Sequence, residues 1–278
     1  MDLRPIAMNK ENILLLTSTI NPNGMSYTVL QDREIRKGQY NKALQFYLVN
    51  TPYKIVYCDN SGVDISGDYL NYINSGRIEF ITFNGNDFDK TKGKGYGEAK
   101  IILYAIKYSK FLKHDCYVTK ITGRIIIRNI CELIQSHVYF LNNIVSCDFC
   151  SDNGIYSMII ISPVSWIKKG LEKYIETIND TNGIYIENII YKMLYESKRH
   201  SILGSIIILP FFKSPEIDGM SGSTGKSYNE IIRKDRFVTD ISFLSSLQKK
   251  KNKKVNYVAL RLLLYIILLL RKLGMIKR

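Results

Sequence analysis

Residues 92–98, Lys92-Gly93-Lys94-Gly95-Tyr96-Gly97-Glu98, set three glycines at alternate positions beside two lysines and a glutamate. Glycines permit a tight backbone, ammonium groups donate charged hydrogen bonds, and a helix starting at Glu98 would add its first amides. This combination suits a nucleotide diphosphate; by composition alone it is equally a solvated loop. A second glycine-rich stretch, Gly219-Met220-Ser221-Gly222-Ser223-Thr224-Gly225-Lys226-Ser227, fails the phosphate-loop spacing. Five residues separate Gly219 from Gly225-Lys226 where the motif has four. What remains is a small loop able to turn backbone N–H groups toward phosphate or sugar oxygens, or a surface linker. Cys147-Asp148-Phe149-Cys150 has CxxC spacing, but zinc needs four ligands and neither a second CxxC nor a paired histidine follows. Lying in a predicted strand, these two read as ordinary buried cysteines. Asp87 and Asp89 stand two apart in a loop, a poor frame for a hard cation.

The elements that must position these groups are legible as periodicity. Apolar runs at residues 12–18, 54–58, 78–83 and 116–122 read as strands, and residues 33–49, 98–112 and 128–135 as helices. Strand alternating with helix predicts an α/β sheet with helices on both faces. Ligands of such sheets bind beyond the carboxyl ends of the strands. Here those ends are residues 17–21, 59–62, 84–97 and 122–124, all polar or glycine-rich. Further on, residues 143–150 and 156–162 read as two strands joined by the turn Asp152-Asn153-Gly154. A helix over 163–178 starts on Pro163. Another helix over 184–197, a strand over 206–209 and a Gly/Ser-rich loop over 214–227 complete the body.

Charge divides the chain in two. The 278 residues hold 39 Lys+Arg and 25 Asp+Glu, a formal +14. Residues 249–278 carry ten of those basic side chains and no acid, which leaves 29 against 25, or +4, for residues 1–248. The near-neutral body, without a basic-aromatic recognition motif, disfavours nucleic acid as a partner. In the tail, a lysine run precedes sixteen largely apolar residues, 255–270, interrupted by Arg261. A spanning helix needs about twenty apolar residues, so the tail reads as a basic-apolar helix lying on an anionic leaflet, or as a core helix with a basic hinge. No signal-like segment opens the chain, and five irregularly spaced cysteines suit a reduced compartment.

Several stretches together carry a family resemblance. Thr17-Ser18-Thr19-Ile20, Asp59-Asn60-Ser61-Gly62, Gly93-Lys94-Gly95-Tyr96-Gly97-Glu98, Lys120-Ile121-Thr122-Gly123-Arg124 and Asp218-Gly219-Met220-Ser221-Gly222-Ser223-Thr224-Gly225 occur in this order over about residues 12–230. They resemble bacterial capsular or O-antigen polysaccharide glycosyltransferases with a GT-A-like, Rossmann-like mixed sheet. The resemblance implies one catalytic domain over 1–248, with a donor half at about 12–140 and an acceptor half at about 141–248, followed by the tail. It implies a nucleotide-sugar donor as co-substrate, bound at Thr17, Ser18, Thr19, Ser61, Lys94, Gly95, Gly97, Glu98, Lys120, Thr122 and Gly123. Asp59 and Asn60 would face the base or ribose with Arg36 and Tyr40 nearby, and Ser221 and Ser223 would touch donor or acceptor.

The family's Asp-any-Asp signature at the end of the fourth strand is missing here, where the chain reads Ile121-Thr122-Gly123-Arg124. That departure makes a divalent metal doubtful and points to Arg124, helped by Lys94 or Lys120, as the group that meets the leaving diphosphate. Glu187, at the start of a predicted helix, is the expected base for the acceptor hydroxyl, with Asp148, Asp152 and Asp218 in reserve. A lipid-linked glycan acceptor at the inner face of the cell membrane, reached through the tail, completes the expectation. The rival readings are a sugar nucleotidylyltransferase and a non-catalytic membrane-docked binding module. The first would want a glycine-rich Arg/Lys signature where Thr19-Ile20-Asn21-Pro22 stands.

Overall fold

A computed structural model describes residues 11–137, 144–151, 154–197, 207–209, 211, 213–221, 225 and 227–228. Its first half alternates as the periodicity predicts: β1 (Asn12–Ser18), α1 (Arg33–Asn50), β2 (Ile55–Asp59), a short α2 (Leu70–Asn74), β3 (Ile78–Thr82), α3 (Gly93–Tyr108) and β4 (Tyr117–Thr122). Then come β5 (Ile126–Ile127), α4 (Ile130–Gln135), β6 (Ile144–Ser146), β7 (Phe149–Ser151), β8 (Gly154–Ile155) and β9 (Ile159–Pro163). The last elements are α5 (Val164–Tyr174), α6 (Ile186–Ser197), β10 (Ile207–Leu209) and β11 (Ile217–Asp218).

Seven strands form one sheet in the order β10-β6-β9-β4-β1-β2-β3. β1 lies parallel to β2 and β4, β2 to β3, and β6 to β10, whereas β9 runs antiparallel to both β4 and β6. The expected mixed sheet is therefore present. β1 is buried along its whole length, as a strand covered on both faces must be. Its alternate side chains serve two cores. Ile13 and Leu15 pack with α3, α5 and α6, while Leu14 and Leu16 pack with α1 and α4.

Two expectations about the elements change. α3 starts at Gly93, five residues before Glu98, so the glycine-rich stretch is helix rather than loop. Residues 143–150 are not one strand: the chain leaves the sheet after Ser146 at the buried Cys147 and Asp148, then makes the small β7–β8 pair. Asp152 falls outside the described residues, as do Ser223 and the whole tail over 249–278.

Candidate active site

The carboxyl ends of β1, β2 and β4 open into a cleft of about 390 Å³. Thr17, Ser18 and Thr122 line it from the sheet, and Lys94, Gly95, Gly97 and Glu98 from α3. Arg124, Ser221 and Tyr228 line it from the loops after β4 and β11, and Glu187 from the first turn of α6. Thr19, Arg36, Tyr40, Asn60 and Ser157 also stand on the wall. Side chains far apart in sequence meet here because all parallel strands end at the same edge.

The wall is held by its own hydrogen bonds. The Arg36 guanidinium donates from Nε to the Thr19 carbonyl at 2.8 Å and from Nη2 to the Tyr40 hydroxyl at 3.1 Å. The Thr19 amide donates to that same hydroxyl at 3.0 Å. Arg36 and Tyr40 thus shape the loop after β1 as well as facing the cleft. Asn60 accepts from Thr19 Oγ1 at 2.7 Å through Oδ1, and its buried Nδ2 has no partner, leaving a donor beside the cleft.

Four expected binding residues do not reach this wall. Asp59 is 0% exposed and accepts from Ser18 Oγ (2.7 Å), the Ile20 amide (2.9 Å), and the amide and hydroxyl of Ser61 (2.7 and 2.6 Å). Its carboxylate is consumed in fixing the loops after β1 and β2, so Asn60 rather than Asp59 faces the cleft. Ser61 lines a neighbouring polar cleft with Asn60, Asn84 and Asn86. Gly123 donates its amide to the Thr17 carbonyl at 2.9 Å, and a Cβ there would stand 2.8 Å from that oxygen. Its role is close approach of two strand ends. Lys120 is 1% exposed and lies below the wall, its ammonium ion-paired with Glu98 and donating to the Ser157 carbonyl at 2.6 Å. A charge this deeply buried requires such partners, and one committed to Glu98 is not the group that meets a diphosphate.

The glycines of α3 have a different task from the one their composition suggests. Cβ atoms built at Gly93 and Gly95 would fall 2.4 and 2.8 Å from Asp180, a 1% exposed residue before α6. The Gly95 amide donates to Asp180 Oδ2 at 3.1 Å. The protein's own carboxylate therefore occupies the amide end of α3, where an anion is favoured. Burial raises the Asp180 carboxyl above its ordinary value, opposed by the Gly95 amide and Lys94 and reinforced by the Glu187 and Glu98 charges. Lys94 remains on the cleft wall.

Glu187 accepts a hydrogen bond from Ser157 Oγ at 2.7 Å. Arg124 donates from Nη1 to the Met220 carbonyl at 2.6 Å, tying the Gly/Ser loop to the end of β4. That loop closes on itself through Gly225 N to the Ser221 carbonyl (2.8 Å) and Tyr228 N to the Gly219 carbonyl (3.1 Å). Burial raises the Tyr228 phenol, with Arg124 pulling it down and Glu98 and Glu187 pushing it further up. Phenol, guanidinium and the two carboxylates thus share one electrostatic neighbourhood.

The carboxylates at and near the cleft are engaged by the protein's own groups. At the end of β4, Thr122-Gly123-Arg124 supplies no carboxylate, and Glu98 is already neutralised by Lys120. Asp89 caps the 3₁₀ turn Lys90–Lys92 through the Thr91 amide, and Asp87 lines the neighbouring cleft. Among the described residues, no three of His, Cys, Asp and Glu come together as an all-protein metal cage. Of the reserve acids, Asp148 is buried away from the cleft wall and Asp218 pairs with Arg128 at 2.7 Å on the surface. Sequence reasoning missed Ser157 and Tyr228. Tyr228 follows the Gly/Ser loop directly, which was a usable signal; Ser157, in a turn between strands, offered none.

No protein-family model matches the chain, and no curated protein matches it. Among solved structures, it is similar to the mannosyltransferase Ktr4p from S. cerevisiae, at 9% identity and TM-score 0.44 over 84% of this chain and 76% of that one. It is also similar to the bifunctional glycosyltransferase WbbM, at 14% identity and TM-score 0.41 over 89% of this chain and 46% of that one. A second structure of Ktr4p, in complex with GDP, matches at 11% identity and TM-score 0.41 over 84% and 76%. All three TM-scores lie below 0.5.

Proposed function

We propose that this chain is a GT-A-like glycosyltransferase that moves a sugar from a nucleotide-sugar donor to a glycan hydroxyl, without a divalent metal. One observation carries the reading: a single cleft at the carboxyl edge of the sheet holds a carboxylate, Glu187, together with two cationic side chains, Arg124 and Lys94. Transfer forms a bond from the acceptor oxygen to the anomeric carbon and breaks the bond from that carbon to the diphosphate. Glu187 takes the acceptor's proton. Arg124 and Lys94 meet the charge that develops on the departing diphosphate, the role otherwise given to a metal ion. Asn60, Thr19 and Tyr40 bound the side of the cleft assigned to the nucleoside.

The acceptor we propose is a lipid-linked glycan of bacterial surface polysaccharide synthesis, capsular or O-antigen. The protein would work at the inner face of the cell membrane, held there by residues 249–278. The support is the composition of that tail, ten basic side chains around an apolar stretch.

The reading is tested by incubation with UDP- and GDP-sugars and measurement of released nucleoside diphosphate, with and without EDTA. Release that survives EDTA is expected. Glu187→Gln should lower kcat by roughly 10²-fold or more, and Arg124→Ala by a similar factor. A folded Glu187→Gln variant with full activity would remove the base assignment, and complete loss in EDTA would overturn metal independence.

A further inference from the structure

We propose that Ser157 is a positioning residue that fixes the Glu187 carboxylate so that Oε2 is the atom that takes the acceptor's proton. The proposal rests on the glycosyltransferase reading. Ser157 Oγ donates to Glu187 Oε1 at 2.7 Å, which commits that oxygen and leaves the other for the acceptor hydroxyl.

A serine in a turn between β8 and β9 would ordinarily be a loose support. This one is pinned. Lys120, rooted in the middle of β4, donates from Nζ to the Ser157 carbonyl at 2.6 Å. The ammonium is itself held by Glu98 of α3 and lies 3.5 Å from Thr122 Oγ1. The next residue is tied as well, since the Thr122 amide donates to the Met158 carbonyl at 3.0 Å. One buried cation thus joins β4, α3 and the β8–β9 turn, and the turn presents its hydroxyl to α6.

The carboxylates around the cleft divide accordingly. Glu98 is neutralised by the Lys120 ammonium and accepts from Thr17 Oγ1 at 3.3 Å. Asp180 lies behind Gly93 and Gly95 with Oδ2 on the Gly95 amide. Glu187 has a neutral hydroxyl as its partner, so it is oriented without being neutralised. In the step itself, the acceptor oxygen bonds to the anomeric carbon and its proton passes to Glu187 Oε2. The electron pair of the breaking carbon–oxygen bond leaves with the nucleoside diphosphate.

The test compares Ser157→Ala and Ser157→Thr with the wild type. Nucleoside diphosphate release from UDP-glucose and GDP-mannose, with water or a glycan as acceptor, is measured for kcat and donor KM. UDP and GDP binding is followed by calorimetry. Ser157→Ala should lower kcat about 10-fold with donor KM and nucleotide affinity unchanged. Ser157→Thr, which keeps the hydroxyl, should restore the rate. If Ser157→Ala does not fold, Ser157→Cys replaces it as the nearly isosteric weak donor. Wild-type kcat in the alanine variant would overturn the assignment alone. So would a loss of rate that Ser157→Thr does not restore, or one accompanied by a matching rise in donor KM. A wild type that binds nucleotide but releases none from any sugar would overturn this assignment together with the reading beneath it.

Discussion

At the residue scale, the groups that the cleft does not use still shape how the protein responds to pH. His137, at the end of α4, is 5% exposed, lies 2.9 Å from Ser146 Oγ through Nδ1, and meets the edge of Tyr117. Burial pushes its imidazole down from 6.5 to about 4. Between those values the unfolded chain binds the proton and the folded one does not, so stability falls as pH drops through the window. The contribution is fully present above about 6.5 and amounts to roughly 3 kcal/mol at about 1.4 kcal/mol per unit. Urea midpoints should therefore decline more steeply from pH 7.5 to 4.5 in the wild type than in His137→Asn, which does not titrate. Equal declines would show that other groups set the acid sensitivity. Glu187 could be picked out as a helix-start carboxylate from its sequence position. Ser157 and Lys120 could not be paired that way, because 37 positions separate the two residues of that contact.

At the element scale, α3 shows where composition misleads. A run with glycine at 93, 95 and 97 has poor helix propensity, and by itself reads as a loop. It is nonetheless helical, and the glycines at 93 and 95 let Asp180 approach the first turn more closely than any Cβ allows. Gly95→Ala, favourable by propensity, should instead destabilise the fold by about 1–3 kcal/mol through overpacking against Asp180 Oδ1 and the Ile186 amide. Gly38→Ala, on the exposed face of α1 with nothing within 4 Å, should be neutral or stabilising by up to about 1 kcal/mol. Thermal or urea unfolding of the two variants checks both signs in one experiment. The boundaries of β1 and α1, by contrast, follow directly from local signals. β1 is an apolar run, and α1 starts on Asp32, whose side chain accepts from the Ile35 amide at 2.8 Å.

At the scale of the whole molecule, the formal +14 is mostly a property of the tail. Deleting residues 249–278 should shift the protein from the membrane pellet to the supernatant and abolish flotation with anionic vesicles. Each basic group near such a surface adds about 1 kcal/mol. An unchanged distribution would separate the tail from membrane binding. What the sequence by itself determined is the order of strand and helix, the polar character of the strand ends and the concentration of charge in residues 249–278. All of these are written in periodicity and composition over short windows. What only the tertiary structure decided is the allocation of charge. Asp59 and Lys120 look like ligand contacts in sequence, yet the first is spent on two loops and the second on Glu98 and Ser157. Arg124 and Glu187 keep their places on the wall of the cleft. The reason is physical. A buried ionised group must find a partner, and which partner it finds depends on which strands and helices lie side by side.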